Sequence, residues 1–411
     1  MSTLASPSQE RRGQPPTVTG NAESSAFLFP DYHNIRQNTT KIPRCERTAL
    51  LSKFDNPYSK YGHIFLPISS KKVKGVIPIK KSLLALYSLS HFWVDLSCAF
   101  LVFRTMADAP SFSLCLLLYN FCAFALQMPL GLLAGQWNRN GLTAGGGCLL
   151  TALAFLIHRP LPAAIAAGVG NALFHLGGGM DVLNSSERRA ASLGVFVSPG
   201  ALGLYIGSAW GRGSAPPFRL APAGLLTLGA AIAWLYRRRP APRNAPLDLS
   251  APSGYRVLLP LFLVGVLRSY MGMNQSFPWR DEGALLLTLA LVLGKTAGGF
   301  AMDILGPRRS SLWSLGAAGV LYLLSALPLP GALAVFLFNM TMPVTLWAAA
   351  QAMPGAKGFT FGLLTFALFL GFLPSFLGWP SLLAGPWAYA AAALVSLALL
   401  WGPLGRRAAR C

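Results

Sequence analysis

From Ser82 onward the chain is a succession of apolar runs about 20 residues long, parted by short segments that collect Gly, Pro, Asn and Arg. A run of that length crosses a bilayer core as one helix. Twelve such spans are expected, over 82–103, 111–134, 141–157, 161–183, 190–210, 218–236, 255–275, 283–304, 310–328, 331–350, 358–378 and 386–403. Residues 1–81 break the pattern: they are rich in Ser, Asn, Pro and Lys, hold no sustained period, and end in the basic run SSKKVKGVIPIKK. They read either as a disordered cytoplasmic tail or as the product of a start site placed too far upstream. No apolar core of a secretory signal follows the first Met. A second break, RRRPAPRNAPLDLSAPSG, divides the spans six and six. The expected organisation is a bundle over 82–236, a cytoplasmic linker over 237–254, a second bundle over 255–405 and a short cytoplasmic tail, 406–411.

Composition sharpens this into an all-α membrane protein. Of 411 residues 53% are hydrophobic and 11% charged, against about 25% charged in a soluble domain. The net charge of +21 does not point to nucleic acid, because the cations cluster at the ends of apolar runs, where lipid headgroups and the positive-inside bias act. With the amino terminus inside, fourteen Lys and Arg after the first span fall in cytoplasmic segments, whereas the opposite side holds only Arg104, Arg159, Arg212, Arg219 and Arg280. That asymmetry places both termini in the cytoplasm and the chain in the cell membrane. Cys98, Cys115, Cys122 and Cys148 fall within apolar runs and read as small buried hydrophobes.

The two halves repeat. An offset of 168 carries Gly131 onto Gly299, Gln127 onto Lys295, Asn171 onto Asn339, Gly194 onto Gly362 and Gly203 onto Gly371. Glycine is common here, so no single match is informative; their agreement at one offset is. Duplicated six-helix halves are an expected build of a transporter whose site lies between the repeats.

The segment GFAMDILGPRR, Gly299 to Arg309, packs an acid, a turn glycine and two arginines between apolar runs. It resembles the loop signature of the major facilitator superfamily, with Gly299, Asp303, Gly306, Arg308 and Arg309 at the signature positions. The first-half copy, GLLAGQWNRNG, keeps Gly131 and Arg139 but has Gly135 in place of the acid and Asn138 in place of the second glycine. The resemblance covers about 82–405; HFWVD (91–95) and GNALFH (170–175) are similar to the fosmidomycin-resistance branch of efflux carriers. It implies twelve helices in two bundles related by a pseudo-twofold axis, a monomer, and a cavity lined by spans one, four, seven and ten, flanked by two, five, eight and eleven. Physically, glycine lets a short turn reverse, an acid favours a helix amino terminus, and arginines favour phosphates or helix carboxyl ends. Asp303 is expected to dock on the start of span five and latch the cytoplasmic side; Ser185 or Ser186 is the expected cap of that span.

Charge inside a bilayer costs about 2.5–3.5 kcal/mol per residue on insertion scales, so ionisable groups within spans mark function. Asp95 lies mid-span with His91 one turn earlier, Arg268 and Lys295 lie in spans seven and eight, and His175 follows Asn171 by one turn in span four. Gln127 and Asn339 occupy spans two and ten. Asp95, tuned or simply hydrogen-bonded by His91, is a candidate proton carrier. Arg268 and Lys295 suit an anionic solute, since a guanidinium grips carboxylate or phosphonate with paired bonds; a standing ion pair with Asp95 is the alternative. His175 and Asn171 suit interhelical hydrogen bonds. No paired H-x-x-x-H metal spacing, phosphate-binding loop or nucleophile with organised partners is present, so neither metal, cofactor nor enzyme is expected. The function expected is secondary active transport of a small solute, by alternating access and coupled to protons; a receptor without flux and a uniporter are the alternatives.

Overall fold

A computed structural model describes residues 81–186, 189–213, 217–238, 242–249 and 252–405. The expectations for 1–80, for Arg188 and for 406–411 lie outside the described residues. The described residues hold no β-strand. Before the linker run α1 (Lys81–Thr105), α2 (Phe112–Trp137), α3 (Asn140–Ala154), α4 (Pro160–Asn184), α5 (Ala191–Arg212) and α6 (Leu220–Arg238). After it run α7 (Pro252–Asn274), α8 (Ala284–Leu305), α9 (Pro307–Leu323), α10 (Pro328–Ala352), α11 (Lys357–Phe376) and α12 (Gly385–Gly405).

Ten of these are long and apolar enough to cross a bilayer, which makes the chain a multi-pass membrane protein. The other two, α3 and α9, have 15 and 17 helical residues, or about 22–26 Å of rise against a core of about 30 Å. The apolar runs that promised full spans there continue as tighter i→i+3 turns: Phe155, Leu156 and Ile157 donate to Ala152, Leu153 and Ala154, and Leu324 and Ser325 to Leu321 and Tyr322. Large apolar side chains such as Ile304, Trp313 and Leu329 lie exposed on α8, α9 and α10, as befits a surface that faces lipid.

Three helices are interrupted, all beside the cavity described below. In α2, a π-turn over Phe121–Ala125 places Leu126 N on Phe121 O at 3.1 Å; such bulges re-aim the side chains that follow, here Gln127. Helix α5, expected as one continuous span, breaks at Ser198–Pro199, because proline has no N–H to continue the ladder. Helix α10 breaks at Met340.

The repeat becomes geometry at the seam between the halves, where α2 packs on α11 and α8 on the start of α5. A Cβ on Gly131 would lie 2.2 Å from Gly358 O, and one on Gly299 would lie 2.5 Å from Ala190 O. The 168-residue offset converts one pair into the other. Likewise a Cβ on Gly362 would meet Gln127 O at 2.2 Å, and one on Gly194 would meet Lys295 O at 2.7 Å. Only glycine allows backbones this close. Of the glycines that aligned in sequence, Gly131, Gly299, Gly194 and Gly362 thus let each half approach the other, whereas Gly203 and Gly371 pack within their own halves, on Phe92 O and Val266 O.

Candidate functional site

A cavity of about 630 Å³ lies at this seam, lined from both halves. His91, Asp95, Gln127, His175, Arg268, Lys295 and Asn339 all line it, and Asn171 bonds to the lining carboxylate. The eight residues singled out by charge and polarity therefore converge, although no two of them stand closer in sequence than one helical turn.

The first-half wall is a polar cluster, in which Asn171 Oδ1 is left without a partner among the described residues. On α1, His91 and Asp95 are one turn apart, with His91 Nε2 3.3 Å from Asp95 Oδ2. From α4, His175 Nε2 lies 3.7 Å from Asp95 Oδ1 and 2.9 Å from His91 Nε2. Asn171 Nδ2 donates to Asp95 Oδ1 at 2.9 Å and also faces Cys98 Sγ and the Tyr119 hydroxyl. The second nitrogen of each ring is fixed by the backbone: His91 Nδ1 donates to Phe196 O at 2.7 Å, and His175 Nδ1 to Asn171 O at 2.9 Å. The Phe196 carbonyl sits beside the α5 break, which explains how a helix presents it to a side chain. A Cβ on Gly200, just past the break, would lie 2.3 Å from both Asp95 Oδ2 and His91 Nε2.

The second-half wall is cationic. Arg268 is 9% exposed; its Nη2 donates to Thr341 Oγ1 at 2.8 Å and its Nη1 reaches Thr345 Oγ1 at 3.5 Å, both on α10 after its break. Its Nε has no partner. Lys295 Nζ contacts Val197 O, across the seam, at 3.5 Å. Among the described residues neither cation lies within ion-pair distance of a carboxylate, so the alternative of a standing pair with Asp95 is not what the structure shows. Gln127 and Asn339 each bond a carbonyl of their own helix, Ala123 O and Val335 O, and Gln127 Oε1 is unpartnered.

The loops at the linker side of the seam carry the signature residues. Asp303 accepts hydrogen bonds from Ala190 N at 2.6 Å and Ala191 N at 3.3 Å. This corrects the expected cap: Ser185 instead bonds back to Asp181 O at the end of α4, Ser186 Oγ is unpartnered, and the carboxylate that caps α5 comes from the other half. Gly306 has φ +81 and ψ 160, a region open to glycine alone. Its repeat partner Asn138 has φ 52 and ψ 36, the left-handed well that asparagine tolerates, so the two copies share a positive φ but turn differently. Arg308 stacks over Trp401 at 3.7 Å, while Arg309 and Arg139 are exposed.

Two features escaped the sequence reading. Asp181, wholly buried in α4, accepts from Tyr87 Oη at 2.6 Å and Asn140 Nδ2 at 2.8 Å; an acid in the apolar run GGGMD was the available signal. The linker is also ordered by Asn244, whose N donates to Asn138 Oδ1 at 2.8 Å and whose amide bonds Gly135 O, Asn140 and Asn184. Further along, Asp248 N donates to Gly355 O at 3.2 Å. The linker thus straps the α2–α3 turn of one half to the α10–α11 turn of the other.

A metal was not expected, since no spacing suggested one; the fold nevertheless brings ligand atoms of His91, Asp95 and His175 within 4.8 Å of one another. The two ring nitrogens, at 2.9 Å, stand closer than the roughly 3.3 Å that bond lengths of about 2.05 Å impose around a tetrahedral zinc. They match a hydrogen-bond length instead.

No protein-family model and no curated protein matches the chain. Solved structures do. The Escherichia coli fucose:proton symporter aligns with a TM-score of 0.57 at 14% identity, over 79% of this chain and 98% of that one. A major facilitator transporter structure of FucP in the outward conformation aligns with a TM-score of 0.56 at 13% identity, over 80% and 98%. The human organic anion transporter MFSD10 aligns with a TM-score of 0.55 at 16% identity, over 79% and 100%. The chain has the major facilitator fold.

Proposed function

We propose that the protein is a secondary carrier that moves a small anionic solute by alternating access, coupled to protons, with its two halves, 82–236 and 255–405, rocking about the glycine seam. The observation that carries this reading is the cavity itself, where an imidazole–carboxylate wall from one half faces two cations held by the other. A guanidinium oriented by two threonines, with one N–H unpartnered, is arranged to receive an anion. The Asp303 cap, the linker strap and the close glycine pairs lie together on the linker side, which the charge asymmetry assigns to the cytoplasm of the cell membrane. They hold that side shut, and opening it breaks all three sets. The fucose:proton symporter and organic anion transporter folds are compatible with this chemistry. A monomer in lipid suffices, since the cavity is complete within one chain.

The test is flux. Purified protein in liposomes with an imposed pH gradient is offered benzoate, succinate and methylphosphonate. Gradient-dependent accumulation of at least one, abolished in Arg268→Gln protein that still folds, is expected. Saturable binding without flux would make the protein a receptor, and flux indifferent to the gradient would make it a uniporter.

A further inference from the structure

Three contacts in the first-half cluster each need a proton. Phe196 O and Asn171 O are carbonyl oxygens and can only accept, so His91 Nδ1 and His175 Nδ1 must both be protonated to make contacts of 2.7 and 2.9 Å. The third contact is Nε2 to Nε2 at 2.9 Å. Two neutral imidazoles carry two protons between them, and both are already committed to carbonyls. Without a third, two nitrogen lone pairs would face each other at hydrogen-bond distance. A proton on Asp95 does not resolve this, because from Oδ2 it would reach His91 Nε2 at 3.3 Å and leave the nitrogen pair unbridged.

We infer that His91 and His175 jointly hold one exchangeable proton between their Nε2 atoms, with Asp95 as its fixed counter-anion, and that this is the proton that couples transport. The inference rests on the proton-coupled carrier reading above and locates the proton within it. The charged and titratable groups facing the pair support the assignment. Asp95 on α1 lies against both Nε2 atoms, so the loaded cluster is neutral. Tyr119 on α2 and Cys98 on α1 face Asn171, not the rings. Lys295 on α8 holds Val197 O, adjacent to the carbonyl that fixes His91; with Arg268 on α7 it lines the same cavity.

The arrangement also supplies a link to motion. A proton enters from the cavity onto either Nε2 and is shared. When it departs to solvent, the cluster's net charge falls from zero to minus one and the facing lone pairs repel. His91 is tied to α5 and His175 to α4, so separating the rings displaces those helices. An anion on Arg268 and Lys295 adds negative charge to the same cavity and favours the loaded pair, which is the sign required for solute and proton to travel together.

The experiment is nitrogen NMR of the full chain in lipid nanodiscs, with 15N-labelled histidine, at neutral pH, before and after addition of a chelator. Expected is one strongly downfield proton coupled to two imidazole nitrogens, lost in both His91→Gln and His175→Gln protein and retained in Asp303→Asn protein. Two rings that each show a neutral tautomer without a shared proton would overturn the assignment, whatever the variants do. So would rings whose spectrum shifts on chelation, which would indicate a metal ion. The flux assay separates this failure from that of the carrier reading: no shared proton with gradient-driven uptake intact defeats only the assignment, and a shared proton without any flux defeats the carrier reading and the coupling role while the proton's location stands.

Discussion

The carboxylate of Asp303 sits on the backbone amides of Ala190 and Ala191, joining the last turn of α8 to the start of α5 in the opposite half. An anion at a helix amino terminus contributes about 1 kcal/mol, or roughly a fivefold shift in a two-state equilibrium. Asp303→Asn is therefore expected to raise the fraction of protein open on the linker side about fivefold and to slow transport while leaving anion binding intact. Spin-label distances across the linker side, read with binding measured on the same preparation, check both halves of that statement.

The glycine seam makes a sharper contrast. Gly131 and Gly135 lie one turn apart on α2, yet a Cβ on the first meets Gly358 O at 2.2 Å and a Cβ on the second meets nothing within 4 Å. Gly131→Ala is expected to prop the linker side open and abolish net transport, and Gly135→Ala to be silent. Accessibility of the linker side to a thiol reagent, with a reporter cysteine introduced there, distinguishes them.

Much of this was legible in the sequence because the duplication was. Gly131 and Gly299 align at the same offset that superposes Ala190 on Gly358, so the aligned small residues were already the two sides of the seam. What stayed hidden depends on distance along the chain. His91 and His175 are 84 residues apart, so a search for local metal or acid–base spacing passes over them. Capping of α5 was expected from Ser185 or Ser186 because a local reading favours the nearest hydroxyl, whereas the carboxylate that arrives lies 113 residues away. The break at Ser198–Pro199 was visible as a proline in an apolar run. Its consequence, carbonyls offered to His91 and Lys295, was not.

Thr341 and Thr345 orient Arg268 without lining residues of their own charge. A hydrogen bond to a charged group contributes about 1.5–3 kcal/mol, so Thr341→Val is expected to weaken anion binding about tenfold or more. Arg268→Lys should weaken it too, since a point charge cannot make the paired contact. Titration of benzoate or methylphosphonate binding by intrinsic tryptophan fluorescence measures both.

Asn244 is the linker's anchor, with bonds to Gly135 O, Asn138, Asn140 and Asn184. Asn244→Ala keeps the backbone N–H that bonds Asn138 but leaves Gly135 O, Asn140 and Asn184 short of a hydrogen bond, at about 1–3 kcal/mol. Faster hydrogen exchange at the α2–α3 turn and a larger open fraction are expected, with the cavity cluster unchanged. Exchange confined to the linker itself would show that the strap does not hold the turn.

Gly200→Ala places a methyl group 2.3 Å from Asp95 Oδ2 and His91 Nε2, whereas Gly146→Ala, on α3 and away from the cavity, meets nothing within 4 Å. The first should uncouple solute movement from the pH gradient in a protein that still folds, and the second should transport normally.

The most direct measurement follows lumenal pH in liposomes carrying the protein as an anion is added outside. Entry of protons in step with the anion, absent when Arg268 is replaced by Gln and absent when both His91 and His175 are, is the expected result. Anion entry that leaves lumenal pH untouched in the unaltered protein would contradict it.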